Sequence, residues 1–465
     1  MTEKITKRQK IFHPFLVAFF PILIIYSVNT GRIELEEFIL PTILIVGGAL
    51  LFFFGLKHIL KNVKKTALVV TLSFIIFFSY GHVYNILNSI SIGDTDLGSN
   101  LILGPIFVLL FGIGTFLIIK TKRVLDNATS ITNVMAIVFI LVAIVNVAVV
   151  SAELTQPTFD KHTRADVGDL YEKIDFSSYF EPHTFSISES NSLPNVYYII
   201  LDGYPRNDAL KKHVNFDNSE FLNFLKQRGF HIVENAYSNY SQSLQSIPAT
   251  MNMNYINFLA DEIGKDARSY KPYNGKDFGL YSDNQVMKNF KSMGYKIVNF
   301  NTFSLHFHEL PLADLSVCHK TSNIMDNRLL DTVGRSTMIG YFIERWSENE
   351  DRQVILCTFE ELPKVNESFD EPVFVWAHIM LPHPPLIFGP NGEAVTPGKP
   401  LLIMNHPDFR NSGWDIKQQF VQQLQFTNKK SMEFIDKVLD DGKPSIIIIQ
   451  GDHGSGFNIN WQDPT

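Results

Sequence analysis

Charge is scarce in this sequence. Asp, Glu, Lys and Arg together make up 19% of 465 residues, against 45% hydrophobic ones, and the formal net charge is −7. A chain without a basic surface is a poor match for a polyanion, so nucleic acid is excluded as a partner. Cysteine is nearly absent: Cys318 and Cys357 stand alone, and whether two such thiols pair depends on geometry that spacing does not give. There is no internal repeat and no low-complexity tract. Also missing is a small-residue cleavage site after the first apolar stretch, which excludes a removable signal peptide and makes that stretch a retained anchor.

What the chain has instead is an uneven store of apolar residues, with 39 Phe among them. The composition splits at about Ala152. Before it lie five apolar stretches, near 11–28, 38–56, 66–88, 101–119 and 133–152. Each is close to the ~20 residues a helix needs to cross a bilayer. Long consecutive stretches with almost no charge have nothing to present to water, so buried core helices are the poorer reading. Five transmembrane helices are expected, with neighbours satisfying the carbonyls freed at Pro21, Pro41 and Pro105. Lys4, Lys7, Arg8 and Lys10 precede the first helix, Lys57, Lys61, Lys64 and Lys65 follow the second, and Lys120, Lys122 and Arg123 follow the fourth. The opposite loops hold Arg32 among Glu34, Glu36 and Glu37, then Asp94 and Asp96. The positive-inside rule therefore predicts a multi-pass cell-membrane protein with a cytoplasmic N-terminus and everything beyond Ala152 extracytoplasmic.

Residues 1–154 read as a transmembrane domain, the polar and irregular 155–193 as a linker, and 194–465 as a second domain. From Pro194 strands and helices alternate. Asn195–Leu201, Phe230–Val233, Tyr295–Phe300, Pro372–His378 and Ile446–Gln450 read as strands. Asp217–Gln227, Ile247–Ile256, Gln285–Met293 and Lys417–Leu439 read as helices. Such alternation predicts an α/β domain, its mainly parallel sheet covered by helices on both faces. The run Ile446–Ile449 lacks polar alternation and is expected inside the sheet; a chain ending at Thr465 would leave it at an unpaired edge.

Chemistry-bearing residues gather at strand ends. Asp202-Gly203 closes the first strand and Asp452-His453-Gly454 the last, where open α/β sheets keep their sites. Each alone is a weak signal, since Asp-Gly is a common turn. Two acidic strand ends on one sheet can converge, however, and converging carboxylates need a cation between them. With imidazole added, zinc or manganese is favoured over calcium or magnesium. Tyr237–Ser246 is a hydroxyl-rich turn ahead of a helix, where the N-terminal N–H groups favour an incoming anion. His378 ends another strand and His383-Pro384-Pro385 follows it; a lone His is usually a structural hydrogen-bonder, but two here suggest substrate contact.

In this order, Asp-Gly, a hydroxyl before a helix, His-Pro and Asp-His-Gly resemble the alkaline phosphatase/sulfatase superfamily. Preceded by transmembrane helices, the set resembles lipoteichoic acid synthases and lipid A phosphoethanolamine transferases, and in wording membrane-anchored sulfatase-like proteins. The carriers are Leu-Asp-Gly-Tyr at 201–204, the turn at 238–243 and Asn-Met at 252–253. The resemblance implies an alkaline-phosphatase-like domain with one or two divalent ions held by Asp202, Ser243, Asp452 and His453. It also implies Ser243 as nucleophile, where the transferases have Thr. On physical grounds His383 is expected to donate to the group transferred or to the leaving oxygen, and His378 and His383 are the candidate substrate contacts. Ser246 is the second candidate nucleophile and Ser241 a distant third. Ser246-Ile247-Pro248-Ala249-Thr250 resembles the formylglycine motif of sulfatases without its arginine, which speaks against that chemistry. Relatives continue well past Asp-His-Gly, so the domain is expected to be incomplete at its C-terminus. The implied function is metal-dependent phosphoryl or sulfuryl transfer or hydrolysis on membrane lipid and a lipid-linked or envelope glycan. Two other readings are a metal-free binding module for glycans and passage of lipid or solute through the helices. The helices carry little intramembrane charge beyond His82, which disfavours the second.

Overall fold

The structure is a computed structural model that describes residues 10–30, 33, 35–87, 91–92, 95–96, 100–155, 193–258, 260, 279–302, 310–319, 327–395 and 414–456. Its first helices are α1 (His13–Val28), α2 (Ile39–Leu60), α3 (Val63–Leu87), α4 (Asn100–Lys120) and α5 (Asp126–Thr155), with a short antiparallel pair, β1 (Ser91–Ile92) and β2 (Thr95–Asp96), after α3. Then come β3 (Asn195–Leu201), α6 (Asn207–Val214), α7 (Ser219–Gln227), α8 (Ser243–Met251), α9 (Gln285–Ser292), β4 (Lys296–Asn301) and β5 (Leu315–Val317). The series ends with α10 (Arg328–Arg335), α11 (Gly340–Glu361), β6 (Val373–Ile379), α12 (Trp414–Asp440) and β7 (Ser445–Gln450). Contacts divide the chain into one unit of Met1–Asp166 with Ser322–Trp346, and another of Val167–Thr321 with Ser347–Thr465. The expected linker lies almost wholly outside the described residues, and α10 joins the first unit although its sequence falls within the second domain.

The first unit is that of a membrane protein. Leu35–Leu60, Val63–Tyr84, Asn100–Lys120 and Asp126–Ala152 are long and apolar enough to span a bilayer. The remaining stretch, α1, is apolar but has 16 residues, a rise of ~24 Å against a hydrocarbon core of ~30 Å. Ala18, Ile22, Ala49, Ala67, Val70 and Ala143 are buried between the helices, whereas Leu51, Leu101 and Phe116 face outward, as lipid-facing positions do. Lys65 Nζ donates to the carbonyls of Ile119 and Thr121, and Lys64 pairs with Asp126 at 2.7 Å. The two basic turns, α2–α3 and α4–α5, therefore share one end of the bundle. Of the other loop charges invoked above, Lys4, Lys7, Arg8, Arg32, Glu34 and Asp94 lie outside the described residues.

In the second unit five strands form a parallel sheet of order β5-β4-β6-β3-β7. Strand period sorts its side chains. Tyr197, Ile199 and Leu201 face one core with Val375, Phe359 of α11 and Phe434 of α12. Val196, Tyr198 and Ile200 face the other with Trp376, Ile247 of α8 and Met287 of α9. Both faces carry helices, as the alternation predicts.

Two expectations are corrected. Phe230–Val233 is not a strand; Phe230 and Ile232 pack against the core beside α7 without a ladder. A short apolar-rich run becomes a strand only where an edge offers backbone partners, which local sequence does not encode. Second, β7 is not interior among the described residues: it pairs with β3 alone. Ile447 and Ile449 meet the core, while Ile446 and Ile448 remain 49% and 42% exposed. Four β-branched residues fit an edge as readily as a centre, and α8 and α9 leave that end of their face uncovered.

Candidate metal centre

Because β6, β3 and β7 are neighbours, their carboxyl ends open side by side. Leu201 pairs with Ile379 and Ile200 with Gln450, so the residues that follow emerge at one level. The Asp202 N–H still donates to Ile379 O at 2.9 Å, which extends the ladder to the carboxylate. After β7 the chain turns so that Asp452 Oδ1 accepts the N–H groups of Gly203 and His453, both at 2.9 Å. Glycine is required at 451, since a Cβ there would lie 2.4 Å from the Tyr204 carbonyl oxygen. It is favoured at 203, whose φ is 68°.

Ser243 is the first residue of α8, four residues upstream of the helix start expected at Ile247. Its Oγ lies 3.1 Å from His453 Nε2 and 3.5 Å from Asp202 Oδ2. His453 Nε2 stands 3.5 Å from both Asp202 Oδ1 and Asp452 Oδ2. Those two carboxylate oxygens are buried and have no hydrogen-bond partner. Such atoms are costly to leave alone and suit a cation. The cluster Asp202, His383, His453 and the cluster Asp202, His378, Asp452 each bring their ligand atoms within 4.8 Å of one another.

Backbone carbonyls settle the tautomers of two imidazoles. A carbonyl only accepts, so His453 Nδ1 donates to Gly454 O at 2.8 Å and His383 Nδ1 to Pro384 O at 2.6 Å. In both neutral rings the Nε2 lone pair then faces the cluster, with His383 Nε2 4.0 Å from Asp202 Oδ1. His378 differs. It is buried within β6, and its Nε2 lies 3.0 Å from Asp202 Oδ2. Burial pushes the Asp202 carboxyl up, but the imidazoles of His383, His378 and His453 outweigh it and hold it below the usual carboxylate range. For His453 burial disfavours the cation, yet the charges of Asp452 and Asp202 win and raise it.

The structure thus brings Asp202, Ser243, His378, His383, Asp452 and His453 together from residues up to 251 positions apart. Ser246 is also close, but its Oγ donates to the Asp452 carbonyl at 2.6 Å. Supporting residues escaped the sequence reading. Tyr204, Asn218 and Asn428 close a hydrogen-bonded ring behind the Asp202 turn, at 2.5, 2.8 and 2.7 Å. Fully buried Gln423 of α12 donates to the carbonyls of Pro382, His383 and Pro385 and accepts from the N–H groups of Ile387 and Phe388. The available signal was an amide on the apolar face of a long helix. A groove of about 1670 Å³ opens beside Asp452 and His453, between β7 and the 228–239 loop.

No protein-family model matches the chain, and neither does any curated protein. Among solved structures it is similar to the integral membrane lipooligosaccharide phosphoethanolamine transferase A of Neisseria meningitidis. Identity is 15% over 95% of this chain and 82% of that one, with a TM-score of 0.32.

Proposed function

We propose that this protein is a membrane-bound, metal-dependent transferase or hydrolase of phosphoryl or sulfuryl groups on envelope lipid or glycan, acting through a covalent ester of Ser243. The observation that carries the reading is the pair of buried, partnerless oxygens of Asp202 and Asp452, which face His453 Nε2 beside the Ser243 hydroxyl. Asp202, Ser243, Asp452 and His453 would hold the ion; their mixed oxygen and nitrogen donors favour zinc or manganese over calcium or magnesium. Once bound, such an ion supplies Lewis acidity, lowering the pKa of the serine hydroxyl and neutralising charge on the group transferred.

The remaining work belongs to the chain. Ser243 Oγ forms the bond to phosphorus or sulfur, and the N-terminus of α8 turns its N–H groups toward the anionic group. His383, whose Nε2 lone pair faces the cluster, takes up the proton released by Ser243 Oγ and passes it to the oxygen of the leaving group as that group departs. Water or an acceptor hydroxyl then attacks the seryl ester and frees Ser243 Oγ. His378, bonded to Asp202, orients that carboxylate. This differs from the substrate contact its sequence position suggested. Ser246 braces the Asp452 turn. In this reading the domain lies outside the cell and α1 is a fifth crossing, an orientation supported by the basic turns that share one bundle end. The Cys318–Cys357 disulfide suits an oxidising compartment.

The test uses purified full-length protein and aryl phosphodiester and aryl sulfate substrates. Ser243→Ala should keep most of the metal while abolishing turnover and the covalent adduct seen by intact mass. Ser246→Ala should retain both. Unchanged turnover in Ser243→Ala would overturn the mechanism, and a wild type without metal or turnover would favour the metal-free binding module.

A further inference from the structure

Residues 327–346 lie between two sequence segments of the second unit yet pack with the first. The ends of this excursion are flanked by Cys318 and Cys357, which are joined as a disulfide. Its inner side is fitted to the bundle. Leu329 and Val333 of α10 are buried with Ile22, Ile33 and Phe78. Arg328 pairs with Glu37 at 2.6 Å, and its backbone N–H donates to the same carboxylate at 2.7 Å. The Ser336 carbonyl rests against Gly81, where a Cβ would lie 2.4 Å from its oxygen. The Met338 N–H donates to Phe77 O, and the Met338 side chain packs with Tyr80, Leu103 and Phe107.

The outer side is different. Ile339, Phe342 and Trp346 follow i, i+3, i+7 spacing and share one face at the start of α11. They are 47%, 69% and 47% exposed, with exposed Tyr341 beside them. The Arg345 guanidinium lies 5.8 Å from the Tyr341 ring centroid. Ile343, between them, turns inward and is buried.

We propose that the Ile339–Trp346 face is a membrane-interface anchor whose partner is the phospholipid headgroup layer. Continuity identifies the occupant. The patch begins one residue after Met338, which is packed on α3 and α4, and the outward apolar residues of α4 begin at Leu101 on the same rim. That rim is opposite the basic turns at Lys64 and Lys65, so it belongs to the outer leaflet in the proposed orientation. Tyr and Trp, apolar rings with a polar tip, are the side chains enriched at this depth, and an arginine beside them can meet lipid phosphate. Exposed aromatics in such a place are solvated by lipid and need no protein partner. The inference goes beyond the chemistry proposed for the metal centre and does not depend on it.

Full-length protein in nanodiscs of phosphatidylcholine, brominated either near the headgroup or near the acyl-chain end, provides the test. The chain has 4 Trp, and the three other than Trp346 are common to wild type and W346F. Wild type minus W346F therefore isolates the Trp346 signal. That signal should be quenched, and more strongly by bromine near the headgroup. F342W placed in the W346F background should restore a quenchable component. Equal quenching of wild type and W346F with no recovery in the double variant would overturn the proposal, as would stronger quenching from the acyl-chain end.

Discussion

Replacing Asp452 by Asn separates the fold of the metal turn from the charge it presents. Asp452 Oδ1 accepts two backbone N–H groups at 2.9 Å, and an amide oxygen keeps both. Oδ2, buried and partnerless 3.5 Å from His453 Nε2, would become a donor where a cation needs a lone pair. Without metal, and above the pH at which His453 loses its proton, Asp452→Asn should be at least as stable as wild type, because an unsatisfied buried polar atom costs about 1–3 kcal/mol, and more if charged. With metal the order should reverse. A ligand specific to the native state adds about 2.7 kcal/mol at a hundred times its Kd and about 4.1 kcal/mol at a thousand times. At about 2–4 °C of Tm per kcal/mol for a domain of this size, excess zinc or manganese should raise the wild-type Tm by about 5–16 °C over chelated protein. Asp452→Asn should show little of that rise. Asp452→Ala, which also removes both N–H acceptors, should melt lower in either state. Thermal melts of detergent-solubilised protein with chelator or metal are sufficient. An equal metal-induced rise in wild type and Asp452→Asn would refute the role of Asp452 as a ligand.

Chelated protein should also report the raised pKa of His453. A base whose folded pKa lies above its ordinary 6.5 stabilises the fold fully below pH 6.5 and loses that stabilisation as pH rises through the raised value. Melts of chelated wild type should therefore fall with pH over that window, while His453→Gln shows no such component. Gln423→Leu leaves the carbonyls and N–H groups around His383 unpaired, so turnover should drop on the order of 100-fold with metal content little changed, because a misplacement of ~1 Å is enough for that loss. Stoichiometric metal analysis beside initial rates checks it, and unchanged rates would refute it. Cys357→Ser opens a loop with a sequence separation of 39, which the chain-entropy argument values at about 4 kcal/mol. Urea titration of the variant should show a lower midpoint.

Much of this protein is decided by local sequence. Apolar stretches of bilayer length determine helices whatever surrounds them, so α2 to α5 are legible from composition alone. Strand–helix alternation determines the parallel sheet in the same way, since parallel strands require covered faces and crossover helices. The candidate ligands were legible because Asp202 and Asp452-His453 stand at strand ends. The rest was decided by tertiary structure, because it depends on which surfaces meet. Ser243 and Ser246 are equivalent hydroxyls in the sequence; only the turn of α8 aims one at His453 and the other at the Asp452 carbonyl. His378 and His383 differ because one lies within β6 and the other beyond it. Four isoleucines cannot report whether β7 has one neighbour or two, nor can residues 327–346 report that they pack on α1 and α3. Hydrogen-bond direction, burial and sheet position are properties of pairs, and the partners here lie hundreds of residues apart.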